Sequence, residues 1–164
     1  MTGNLWKAAC AAVMTLAAAQ PAVAASTCWD AQQAAAAKVR DLQSRLMVAT
    51  LRCQAMGYDV SPAYNQFVRA NRDTIQAANG LLKAQFASMS GAAGERAYDS
   101  FTTELANSYG GDQTNSEICR ETEAAGQEAA SAAGDVSLLM ALAERLGPAP
   151  RLPGGACPIT FSQR

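Results

Sequence analysis

A chain of 164 residues with a formal net charge of −1 offers no basic face for a nucleic-acid backbone. It has no histidine, which removes the usual general base and the commonest metal ligand. Hydrophobic residues make up 49% but aromatics only 6%, so any core is thin and built largely on alanine.

The N-terminal "MTGNLWK" carries one lysine and no acid, and an apolar run of small residues follows over 8–19. Ala22 and Ala24 then give an A-x-A pattern. This predicts a secretory signal peptide over 1–24, cleaved after Ala24, so that Cys10 leaves with it. The bland alternative is a buried N-terminal helix. The apolar run is shorter than the roughly 20 residues of a membrane span. No second long run exists, so no stable membrane insertion is expected after cleavage. The expected location is periplasmic or secreted. The rest divides into a helical domain over 25–147 and a tail over 148–164.

Four cysteines remain: Cys28, Cys53, Cys119 and Cys157. An even number in an exported chain reads as two disulfides. A zinc site would want close cysteine pairs or histidines, and neither is present.

The first helix is predicted over 28–56. Cys28, Gln32, Ala35, Val39, Leu42, Leu46, Ala49, Cys53 and Met56 follow a strict 4-3 spacing, which is one helix face. Gly57 closes it as a left-handed cap. Ser61 as N-cap and Pro62 at the first helical position start a second helix. Its face is Tyr64, Val68, Asn71, Ile75, Ala78, Leu82 and Gln85. "SMSGAAG" over 88–94 is a break. A shorter third helix runs over about 95–109, with Tyr98, Phe101, Leu105 and Tyr109 on one face. Thr114 or Asn115 caps the fourth. Its register holds from Ile118 through Val136 to Leu146, which favours one helix, kinked at Gly134-Asp135. The Pro/Gly tail that follows cannot be helical.

Four helices with short loops predict an all-α, antiparallel up-down-up-down four-helix bundle. A continuous first helix holds Cys28 and Cys53 about 37 Å apart, far beyond disulfide reach. Cys53 and the start of the fourth helix share one end of such a bundle; Cys28 and the tail share the other. The geometry selects Cys53–Cys119 and Cys28–Cys157.

No catalytic, cofactor-binding or metal residue stands out. Lys38 and Lys83 lack a Ser-x-x-Lys context, and Glu117, Glu121, Glu123 and Glu128 read as the wet face of a helix. Two segments, "AYNQFVRANRDT" (63–74) and "AYDSFTTELANSYGG" (97–111), mix aromatics with amides, arginines and acids. Their side chains either fix helix register or form a recognition surface of Tyr64, Arg69, Arg72, Tyr98 and Asn107. The expected role is non-catalytic: an exported binding or structural protein, such as an envelope accessory or adaptor with another envelope protein as partner. The alternative is a small-ligand carrier or sensor with a pocket between helices; an enzyme comes third. An apolar patch exposed away from the bundle core would favour the adaptor, an enclosed pocket of several hundred Å³ the carrier, and perturbed ionisable groups converging in a cleft the enzyme.

Overall fold

Asp30 begins the first helix. Its side chain accepts from the Gln33 backbone N–H at 2.8 Å, and the Gln33 side chain accepts from Asp30 N–H at 3.0 Å. This reciprocal capping box satisfies two N-terminal donors. The helix, α1 (Ala31–Ala55), runs 25 residues and stops where Gly57 takes φ +85°, a conformation that favours glycine. The computed structural model describes residues 28–158; the predicted signal segment over 1–24 lies outside them. The described residues are all-helical and fold into α1, α2 (Ser61–Ala70), α3 (Arg72–Ser90), a single 3-10 turn, α4 (Gly94–Gly110), α5 (Ser116–Ser131) and α6 (Val136–Leu146). Among them no helix is long and apolar enough to cross a membrane.

Two of the expected continuous helices are divided. The second breaks at Asn71, which ends α2 and begins α3 with φ −114° and ψ 22°. The fourth breaks between α5 and α6, where Ala133 and Gly134 both take positive φ and Asp135 caps α6 through Ser137 and Leu138 N–H. The two breaks face each other and share one side chain. Asn71, 1% exposed, donates from Nδ2 to Phe67 O at 2.9 Å and to Ala129 O at 2.8 Å. Its Oδ1 accepts from Gly134 N–H at 2.7 Å. Thr74 Oγ1 adds a bond to Gly134 O at 2.9 Å. One buried amide thus satisfies the backbone groups that both broken helices release.

Smaller corrections concern the helix starts. Ser61 is the first helical residue rather than the cap, and Asp59 holds it by accepting from its N–H at 3.1 Å and its hydroxyl at 2.6 Å. Asn115, the second of the two proposed caps, accepts from Ile118 N–H at 2.9 Å.

α1 touches every other helix, and its buried residues lie on more than one side. α2 lies on α5, and α3 and α4 pack on each other and on α1. At Gly94 an added Cβ would fall 2.6 Å from Ala87 Cα, so only glycine permits the close α3–α4 approach. Four aromatics, Trp29, Phe86, Tyr98 and Phe101, gather at the N-terminal end of α1. Trp29, 1% exposed, packs on Phe86 and Phe101 with ring centroids 5.4 and 6.1 Å apart. Its indole N–H donates to Pro153 O at 2.6 Å.

The tail after α6 carries no helix and returns to that same end. Trp29 N–H donates to Gly155 O at 2.9 Å, and Cys157 N–H donates to Trp29 O at 2.8 Å. The cysteines pair as the end-to-end geometry requires. Cys28–Cys157 ties the tail to the start of α1, and Cys53–Cys119 ties the last turns of α1 to α5. Cys53 and Cys119 are both fully buried with Val60.

Candidate functional site

Of the five side chains proposed as a recognition surface, one lies in the core, one is partly buried and three are exposed. Tyr98 is buried against Phe86, ring centroids 6.2 Å apart, and belongs to the core. Its position on the apolar face of α4 places it there, so its substitution would act on stability. Tyr64 is partly buried and packs on Phe67. Arg69, Arg72 and Asn107 are exposed. They sit on α2, α3 and α4, and α2 packs on α5 whereas α4 packs on α3 and α1. Among the described residues no hydrogen bond, ion pair or ring contact joins any two of the five.

A different set of residues converges. A cleft of about 790 Å³ opens between α1, α4 and the tail. Its walls are Phe101, Leu105, Leu146, Pro148 and Pro150, and Glu104, Asp112 and Arg151 stand at its rim. Along its floor lie Asp41 and Arg45, one turn apart on α1, and Tyr109 from the last turns of α4. The Tyr109 hydroxyl donates to Asp41 Oδ1 at 2.6 Å. The Arg45 guanidinium donates to that hydroxyl at 3.4 Å and to Leu146 O, and it lies 4.7 Å over the Tyr109 ring. Arg45 can only donate, so the phenol proton must point at Asp41. Arg52 holds the end of α4 from below by donating to Tyr109 O at 2.8 Å. The polar floor is thereby fixed from α1, α4 and α6 at once.

Burial sets the electrostatics. Removal from water pushes the Asp41 carboxyl above the ordinary range, and the Tyr109 hydrogen bond and the Arg45 charge pull the other way. Tyr109 is also pushed up, first by burial and then by its bond to Asp41. The sign of the stability effect follows. A carboxyl raised in the folded state keeps its proton where the unfolded chain has lost it. Its contribution is present at low pH and lost as pH rises from about 4 through the folded value. Asp41→Asn keeps an acceptor for Tyr109 and removes the titration. In denaturant unfolding between pH 4 and 7, the stability of wild type relative to Asp41→Asn should therefore fall with rising pH, by at most about 1.4 kcal/mol per pH unit. A difference that is flat or rises with pH would contradict the buried, weakly answered carboxyl.

Sequence reasoning passed over Asp41 and Arg45 because neither lies on the 4-3 apolar stripe. The available signal was their i, i+4 spacing on a helix that all others touch. Among the described residues no group of three or more acidic or cysteine side chains is placed to hold a metal ion. The large exposed apolar side chains lie elsewhere, with Leu51, Met56 and Tyr58 at the end of α1 and Val136 and Leu138 at the start of α6. No family model, no curated protein and no solved structure matches this chain.

Proposed function

We propose that this is an exported, non-catalytic protein that holds a small ligand in the cleft between α1, α4 and the tail. Two disulfides are the cysteine usage of an oxidising compartment and support export. The observation that carries the binding role is the cleft itself. Its volume suits a small molecule, its lining is apolar and polar in near-equal measure, and Asp41, Arg45 and Tyr109 on its floor are held in place before any ligand arrives. Binding rather than chemistry is supported by how those groups are used. Arg45 is tied to Leu146 O, and the Ser108 hydroxyl donates to Leu105 O at 2.7 Å rather than to a base.

Ser108 is an exposed cleft residue, so Ser108→Trp should fill the space with little effect on folding. Wild type and variant are to be melted against a panel of small amines, acids, amino acids and sugars. At least one compound should raise the wild-type melting temperature and leave the variant unmoved. A panel without such a compound, or one that stabilises both proteins equally, would count against the cleft. The exposed Leu51, Met56 and Tyr58 favour a second reading, an adaptor that docks a partner at the Cys53 end of α1.

A further inference from the structure

The cleft floor carries a carboxyl group that the fold leaves half answered. Asp41 is only 5% exposed, and the one hydrogen bond it receives comes from Tyr109, at Oδ1. Among the described residues no lysine or arginine nitrogen lies within 4.0 Å of its oxygens. The nearby cations are engaged elsewhere. Arg45 donates to Leu146 O and Tyr109, and Lys38 pairs with Glu144 at 2.5 Å. On the rim, Asp112 lies 4.0 Å from Arg52. Arg45 acts on this carboxyl only across the Tyr109 hydroxyl; a buried carboxylate without a directly paired cation is costly, and a cation that reaches it recovers much of that cost. Phe101, Leu105 and Leu146 line the same space and would cover an apolar stem.

Resting on the reading of the cleft as a ligand site, we infer that its ligand is a small organic cation, an ammonium or guanidinium on a short apolar stem, with Asp41 as its counter-ion. The head group pairs with the Asp41 oxygen that Tyr109 leaves open, and the stem lies along the walls. Tyr109 keeps its bond to Oδ1 and holds the carboxylate in one orientation. Binding requires the ionised form of Asp41, so affinity falls as pH is lowered. The other charged or titratable groups facing this carboxyl are Lys38 and Arg45 on α1, Glu104 and Tyr109 on α4, Asp112 beyond it, Glu144 on α6 and Arg151 on the tail. The pH series is therefore run with Asp41→Asn beside the wild type.

Three probes with one stem separate the head groups: hexylamine, hexan-1-ol and hexanoate, each titrated into the oxidised protein and followed by amide chemical shifts. Hexylammonium should move the amides of Ser108, Tyr109 and Leu146 in a saturable way, and hexanoate should not. Asp41→Asn, checked for its fold by circular dichroism, should weaken hexylammonium about thirtyfold or more. Wild-type affinity should drop between pH 7.5 and 4.5 while that of the variant stays level. Hexanoate binding as well as hexylammonium would overturn the inference and leave the cleft as a site of other chemistry. Hexylammonium binding equally to wild type and Asp41→Asn would overturn the role of Asp41. If no probe moves a cleft amide, the inference falls, and the Ser108→Trp melting experiment separately decides whether the cleft binds anything.

Discussion

Asn71→Ala should be among the most damaging single substitutions outside the aromatic cluster, lowering stability by about 3–5 kcal/mol. The truncation removes three hydrogen bonds of a fully buried side chain. It leaves Gly134 N–H without a partner and Ala129 O with only the 3.3 Å bond from Ala132 N–H, and a stranded buried group costs about 1–3 kcal/mol on top of the bonds lost. For a domain of this size the loss is a fall in melting temperature of roughly 10–20 °C. Asn71→Asp should be no better, because a carboxylate cannot donate to Phe67 O or Ala129 O and adds a buried charge. Thermal and urea unfolding of the oxidised proteins measure both. A loss below about 1 kcal/mol for Asn71→Ala would mean that the two helix breaks do not depend on this amide.

The second large effect is expected from Cys28→Ser combined with Cys157→Ser. The two bonds are nested, with sequence separations of 129 and 66. With the inner bond intact, the outer one closes a path of about 60 residues, worth about 4 kcal/mol in the chain-entropy account. Against a total of about 5–15 kcal/mol this is a large share. The change should also be local. The tail forms one wall of the cleft through Pro148 and Pro150, and without the disulfide it is held there mainly by its bonds to Trp29. Hydrogen exchange should accelerate first over 148–157, and ligand affinity of the cleft should fall with it. The pair Cys53→Ser with Cys119→Ser removes a fully buried bridge between α1 and α5, and should instead raise exchange throughout. Equal exchange patterns in the two double variants would contradict this division.

These contrasts mark where the sequence is transparent. α1 was legible because its stripe and Gly57 both speak locally. The cysteine pairing was legible because helix length alone forbids a Cys28–Cys53 bond. The break at Asn71 was hidden because the apolar register passes through it without a slip, and for the same reason Gly134-Asp135 read as a kink and not as the full break it is. What divides those helices is a contact between residues 63 apart in the chain, Asn71 and Gly134, and no local propensity records it. The buried polar residues of α1, Asp41, Ser44 and Thr50, were hidden for a related reason. A stripe analysis assumes one buried face, and α1 is contacted by all five other helices. The aromatic–polar segments misled because Tyr98 serves the core while the tyrosine at the cleft, Tyr109, lies about three turns further along the same helix.

The unbroken length of α1 has a consequence for how the protein is made. Synthesis runs from the N-terminus, so Cys28 and Cys53 are the first two of the four thiols to emerge, well before Cys119 and Cys157. An oxidant meeting a disordered chain at that moment would join them in error. The segment between them is rich in alanine, glutamine, leucine and arginine, all strong helix formers, and a helix of this length winds in about a microsecond. Disulfide exchange takes seconds or longer. Because winding and unwinding are fast on that scale, only the unwound fraction of this segment can join Cys28 to Cys53, and the wrong bond should be slowed in proportion to the helix content of the isolated segment.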